Sequence, residues 1–167
     1  MGIFRIADRG IAWITRMGVI GSFIALFLLL MAGVVTRALP FVSISGYDEI
    51  IEFVFAWMTF LGALALWREG ALYSVDFVQN AVAPWMRRAL LFFAEFLMLV
   101  FALVLTLKGW EFVLGSGETT PFLNLNKAWW YASLPVPGAI MAIYSAAALW
   151  QMAWGREVAQ RSDGLLG

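Results

Sequence analysis

Carboxylates inside apolar sequence are the side chains of this protein best suited to chemistry. Glu49 and Glu52 stand three residues apart near the start of one apolar run, and Glu95 lies within another. Charged groups in membrane-spanning helices are costly, so they commonly pair with a neighbouring helix or relay protons. Asp48 also suits the positively polarised N-terminus of a helix. These positions therefore predict three kinds of role, namely helix-end stabilisation, contact with another helix and proton transfer.

The composition excludes many other kinds of chemistry. The 167 residues include no Cys and no His. Thiolate zinc sites, iron–sulfur clusters and bis-histidine haem ligation therefore cannot be formed by this chain's own side chains. Lys plus Arg and Asp plus Glu number 11 each, so no net basic field attracts nucleic acid. We expect no cofactor, no metal site, no nucleic-acid partner and no enzymatic activity.

The hydrophobic content indicates a membrane protein. Hydrophobic residues make up 63% of the chain and charged residues 13%, against about 25% charged residues in soluble domains. Four apolar runs are long enough to cross a bilayer, which takes roughly 20 helical residues. We predict a single all-α integral membrane domain over residues 1–167. Its transmembrane helices are expected at about 17–36, 48–67, 88–107 and 131–154.

The basic residues predict how these spans are oriented. Positive charges collect on the cytoplasmic side of membrane proteins. Both termini are therefore expected in the cytoplasm. The tryptophans support the span boundaries, because eight of the nine Trp residues fall near predicted span ends, where indole rings prefer to lie. Eight basic residues belong to the predicted inner side (Arg5, Arg9, Arg16, Arg68, Arg87, Arg88, Arg156, Arg161) and three to the outer side (Arg37, Lys108, Lys127).

Two segments have the pattern of helices that lie along the membrane surface. Residues 3–16 mix Ile and Trp with Arg in a loosely amphipathic order. Residues 74–83 repeat apolar side chains at helical spacing after Ser74, a plausible N-cap. The alternative for the second segment is a solvated loop. Both segments are predicted as short interfacial amphipathic helices.

The start of the fourth span allows two interpretations. Pro135 and Pro137 stand near its beginning. Ser133 could cap a helix whose first turn contains Pro135, or a longer helix could kink at that point. The first interpretation is favoured.

The predicted spans contain few polar groups for a transport pathway. We see no inverted repeat and no broken-helix pair of the kind that secondary transporters use. Glu52 lies a turn inside the second span, and Arg37 is its nearest candidate partner in this chain. Glu95 is expected to face another helix, of this chain or of a partner. Such a chain is better suited to support a larger membrane protein than to transport alone.

A small-residue patch in the second span has two open interpretations. Gly62, Ala63 and Ala65 would let another helix approach closely. The approaching helix could belong to this chain or to another subunit.

Three stretches of the chain together form a recognisable pattern. They are Asp48-Glu49 with Trp57 and Phe60-Leu61-Gly62-Ala63; Arg68 with Val75-Asp76; and Thr120-Pro121 with Leu123, Asn126, Trp129, Tyr131, Ala132 and Pro135-Val136. With these stretches the chain resembles the small, four-span permease subunit of tripartite ATP-independent periplasmic (TRAP) transporters. The resemblance covers nearly the whole chain. It has one departure, since Leu72 and Tyr73 stand where the family often has His-Ile.

The resemblance implies a subunit of an organic-acid transporter in a bacterial inner membrane. A large multi-span permease subunit would carry the pathway, and a periplasmic binding protein would deliver the substrate. The small subunit would anchor the large one, with residues 115–130 as the side that meets the binding protein through Glu118 and Lys127. Residues expected at the subunit interface are Asp48, Glu49, Glu52, Trp57, Gly62, Arg68, Asp76 and Glu95.

Two other functions stay open from the sequence. The chain could be a haem-free membrane anchor of a respiratory quinone enzyme, although the absence of His weakens this reading. It could also be a stand-alone carrier or proton channel that uses Glu52 and Glu95.

Overall fold

The computed structural model describes residues 2–38, 46–69 and 84–154, with side chains from Asp8 and Trp85 onward in the first and last ranges. Its helices are α1 (Gly2–Ala38), α2 (Tyr47–Glu69), α3 (Pro84–Gly115), α4 (Ala128–Tyr131) and α5 (Pro135–Ala153). The predicted surface helix at 74–83, including Asp76, lies outside the described residues.

Four helical segments are long and apolar enough to cross a membrane. They are Asp8–Ala38, Tyr47–Glu69, Trp85–Gly115 and Ala128–Ala153. Few residues of the first three segments are buried in the isolated chain, whereas the fourth segment is the most buried. The protein is an all-α integral membrane protein, and the predicted fold class is confirmed.

The first helix is longer than a membrane span. Its 37 residues correspond to about 55 Å at 1.5 Å per residue, whereas the hydrocarbon core of a bilayer is about 30 Å thick. Residues 3–16 were predicted as a separate surface helix. They are instead the continuous first part of α1, because no Pro interrupts the run between them and the apolar segment that follows.

The long helices pack in the order α1, α2, α5, α3. The chain runs up and down, so that α1 and α3 start at one end and α2 and α5 finish there. We call this end the terminal end and the opposite one the loop end. Small residues allow α1 to approach α2 closely, and α3 to approach α5. A Cβ added at Gly33 would lie 3.1 Å from the ring of Tyr47, and one added at Gly138 would lie 3.0 Å from the hydroxyl of Thr106.

The buried core is small and lies where α2, α3 and α5 meet. Large apolar side chains of α1 and α3 are exposed on the isolated chain, as expected of surfaces that contact lipid. The buried cluster consists of Leu64, Trp67, Ala102, Met141 and Ala142.

The α4–α5 junction has Pro135 where the favoured interpretation placed it, but not the predicted cap. Pro135 is the first residue of α5, as predicted, where its missing N–H costs no helix bond. Leu134 rather than Ser133 is the N-cap, and no side-chain capping bond forms. The Ser133 hydroxyl instead donates to the carbonyl oxygen of Trp130 at 2.7 Å. The predicted Ser133 cap is therefore wrong.

Candidate functional site

Two groups of hydrogen-bonded polar side chains lie at the helix ends. At the loop end, Glu49 is buried, with 8% of its surface exposed. Its carboxylate accepts hydrogen bonds from the backbone N–H groups of Phe122, at 2.8 Å, and Leu123, at 3.1 Å. Charge-assisted bonds of this type are stronger than neutral ones. Glu49 thus holds the loop that connects α3 to α4 against the start of α2.

This connecting loop, residues 116–127, has its own regular hydrogen bonding. Thr120 donates its N–H to the carbonyl of Leu125 at 2.8 Å, and its hydroxyl accepts the N–H of Leu125 at 3.1 Å. Asn124 has a positive φ of 51°, a conformation that Asn tolerates better than most residues. The loop is therefore a defined turn in which Thr120 is buried.

Gly46 fits this arrangement through both its backbone and its size. Its φ is +87°, which favours glycine. A Cβ at this position would lie 3.1 Å from the Cβ of Phe122. The start of α2 can approach the loop closely for both reasons.

Two tryptophans complete the loop end. The indole N–H of Trp130 donates to the backbone carbonyl of Glu49, and that of Trp57 donates to the carbonyl of Trp129, each at 3.2 Å. Phe53 packs edge-on against Trp130 with ring centroids 4.9 Å apart. α2 therefore fixes both the turn of the loop and its continuation into α4.

The outer surface of the loop carries charge and exposed apolar groups. The ammonium of Lys127 pairs with Glu118 at 3.1 Å. Glu118 raises the pKa of Lys127 through this hydrogen bond and its negative charge. Phe122 and Leu125 are exposed beside this pair.

The second polar group lies at the terminal end and joins three helices. The guanidinium of Arg68 on α2 donates to both carboxylate oxygens of Asp8 on α1, at 2.9 and 3.1 Å. The Tyr144 hydroxyl on α5 donates to Asp8 at 2.6 Å. Two-point Arg–carboxylate pairing fixes geometry as well as supplying attraction.

A buried hydrogen bond lies next to this group. The indole N–H of Trp67 donates to the Ser145 hydroxyl at 3.0 Å, and Ser145 has no exposed surface. Buried polar groups need such partners because leaving them unpaired costs about 1–3 kcal/mol. Trp67 and Ser145 therefore tie α2 to α5 inside the core.

The remaining predicted site residues divide by exposure. Asp48 and Glu52 are exposed, whereas Glu95 is buried. Gly62 faces open space, since an added Cβ meets no atom within 4 Å. Arg37 and Glu52 are both described, and the ion pairs among the described residues do not join them. Asp76 lies outside the described residues.

Sequence reasoning missed part of the group at the terminal end. Neither Asp8 nor Tyr144 was predicted as a site residue. Ser145 offered a signal, because a hydroxyl in an apolar span needs a partner. Within the described ranges, no three His, Cys, Asp or Glu side chains are grouped so as to hold a metal ion.

The arrangement can hold helices together and present a fixed loop at one membrane face.

Residues 26–154 match the family model of the tripartite ATP-independent periplasmic transporters, DctQ component. The chain is also 27% identical over 101 residues to a Haemophilus influenzae protein described as a TRAP transporter small permease protein. That match covers 60% of this chain and 63% of the relative's length. Because the family model matches well over half of the chain, the chain belongs to the DctQ component family of tripartite ATP-independent periplasmic transporters.

Proposed function

We propose that this chain is the small membrane subunit of a TRAP-type secondary transporter for organic acids. In this proposal it anchors a large multi-span permease subunit, which carries the transport pathway. The observation that carries the proposal is the match of residues 26–154 to the DctQ component.

The use of the polar groups supports a scaffolding role. The contacts of Glu49 hold the α3–α4 loop on α2, and those of Asp8, Arg68 and Tyr144 join three helices. A transport pathway needs polar groups along the membrane depth. The side chains that make these contacts stabilise helix ends, which suits a subunit that supports a neighbour.

The basic residues support an orientation with both termini in the cytoplasm of a bacterium. Eight of the 11 basic residues belong to the terminal end and the segments attached to it. By the positive-inside rule this end faces the cytoplasm. The loop end, with Glu118 and Lys127, then faces the periplasm.

The fixed α3–α4 loop suits a docking role toward a periplasmic binding protein. A loop already held by Glu49 loses little conformational freedom on binding, which favours affinity. Its exposed pair of Glu118 and Lys127 offers groups for charge complementarity.

Co-purification tests the central part of this proposal. The tagged chain is co-expressed with the large permease encoded in the same system and extracted in a mild detergent. We expect the permease to be retained in a fixed ratio across several preparations. Repeated purification of the tagged chain without the permease would contradict the proposal.

Charge reversal tests the docking role separately. Glu118→Lys and Lys127→Glu should weaken binding of the periplasmic protein to the purified complex and increase its sensitivity to salt. Glu111→Lys is the matched control, because Glu111 belongs to a different exposed ion pair, with Lys108. Equal binding by all variants would remove the docking role and leave the anchoring role unaffected.

A further inference from the structure

One face of α2 is uncovered over the full length of the helix. Its residues follow one another at intervals of three or four, which places them on a common helix face. Asp48, Glu52, Phe55, Thr59 and Leu66 are exposed, and Gly62 is partly exposed. We call this face the α2 stripe, and it consists of Asp48, Glu52, Phe55, Thr59, Gly62 and Leu66.

The α2 stripe differs in chemistry from the other exposed helix faces. α1 and α3 expose large apolar side chains such as Phe23, Phe27 and Phe101, which suit contact with lipid tails. The α2 stripe instead has carboxylates at the loop end, and a hydroxyl and a glycine further along. Small and polar residues are typical of contacts between transmembrane helices, because they allow close approach and interhelical hydrogen bonds.

Gly62 is not required by the packing of the described residues. An added Cβ at Gly62 meets nothing within 4 Å, whereas one at Gly138 would meet Thr106 at 3.0 Å. The small size of Gly138 therefore serves contacts between α3 and α5. The small size of Gly62 leaves room for another helix to approach the exposed face of α2.

Glu52 supplies a charge that a partner can match. It lies about one turn inside the span and is exposed. The negative charge of Glu52 acts on the ammonium of Lys127, but that ammonium is hydrogen-bonded to Glu118. Acidic side chains in spans commonly pair with a basic residue, so a Lys or Arg at this depth would complement Glu52.

We propose that the α2 stripe is the surface that binds a transmembrane helix of the large permease subunit, with a basic residue of that helix at the level of Glu52. This inference rests on the proposed function and adds which face of the chain makes the contact. Glu49, Trp57 and Arg68 were also predicted at the interface. Their side chains are already bonded within the chain, so in this proposal they brace α2 from inside.

Site-specific photo-crosslinking tests the location of the interface. Benzoyl-phenylalanine is placed at Phe55, Thr59 or Leu66 on the α2 stripe, and at Phe27 or Val104 as exposed controls on α1 and α3. Irradiation of the intact complex should link the stripe positions to the large subunit at least about tenfold more efficiently than the controls.

The outcomes separate this inference from the proposed function. Co-purification with crosslinks from the α2 stripe supports both. If the complex forms but crosslinks arise only from α1 or α3, the inference is overturned and the proposed function stands. If the unmodified chain does not bind the permease at all, the proposed function itself fails.

Two matched glycine substitutions test the same face through packing. Gly62 and Gly21 both face open space in the isolated chain, so a larger side chain at either position should leave this subunit folded. Gly62→Leu should lower the amount of co-purified permease by about tenfold or more, because a larger side chain would overpack the contact with the permease helix. Gly21→Leu should leave that amount unchanged. Equal permease recovery from both variants, with unchanged melting of the chain alone, would overturn the inference.

Discussion

Asp8 and Arg68, which are 60 residues apart in sequence, form a two-point ion pair with nitrogen–oxygen distances of 2.9 and 3.1 Å. The pair connects the beginning of α1 to the end of α2. Tyr144 bonds to the same carboxylate from α5, so one acidic group fixes the relative positions of three helices at the terminal end. The residues of the pair are partly exposed, and water therefore screens part of their attraction.

Removing the charge of Asp8 should loosen the terminal end. Asp8→Asn is expected to destabilise the chain by about 1 kcal/mol, given the partial exposure of the pair. Thermal denaturation in detergent measures the effect. Glu111→Gln is the control. Its pair with Lys108 is more exposed than the Asp8 pair, so the substitution should change the melting temperature little. Equal shifts for the two variants would show that the Asp8 contacts add no particular stability.

The buried bond between Trp67 and Ser145 should contribute more. Ser145→Ala leaves the indole N–H of Trp67 buried without its acceptor, which is expected to cost about 1–3 kcal/mol. Trp67→Phe combined with Ser145→Ala removes both partners, so its cost should be less than the sum of the two single costs. Strict additivity in this double-mutant cycle would contradict a coupling between the two side chains.

Glu49 should control the order of the α3–α4 loop. Glu49→Gln removes the negative charge that accepts the N–H groups of Phe122 and Leu123. Hydrogen exchange at those two amides should accelerate by about tenfold. Glu118→Gln alters another carboxylate of the same loop without touching these amides, and should leave their exchange nearly unchanged. Unaltered protection in the Glu49 variant would show that the loop is held by other contacts.

Gly138 should be essential for the contact between α3 and α5. A Cβ at this position would lie 3.0 Å from the Thr106 hydroxyl and 3.2 Å from Leu105. Gly138→Leu is therefore expected to destabilise the chain by about 1–3 kcal/mol through overpacking. Detergent melting with Gly21→Leu as the control checks this, and identical melting of both variants would argue against close packing at Gly138.

The sequence was sufficient for the fold class because apolar spans and charge placement follow directly from the cost of burying charge in lipid. Glu49 was identified as a candidate contact residue from its type and position, and Arg68 from the family resemblance. Their partners were not predictable. The acceptor role of Glu49 depends on backbone N–H groups 73 and 74 residues away, and backbone groups carry no sequence signal.

The sequence likewise does not predict which tryptophan rings are buried and which are exposed. Trp67 and Trp130 are at helix ends, as are Trp85 and Trp110, yet the first two are buried and the last two are exposed. All four match the preference of indole for span ends. Only the packing of α2 against α4 and α5 determines which rings turn inward. The same holds for Asp8, because its pairing requires the end of α2 to lie beside it.

Uptake measured in proteoliposomes tests most directly whether this chain supports a larger transporter instead of transporting alone. Three preparations are compared, containing this chain, the large permease, or both, each supplied with the periplasmic binding protein and the organic acid it captures. Uptake is expected only when both membrane subunits are present. Uptake by this chain alone, or full uptake by the permease without it, would contradict a supporting role for this chain.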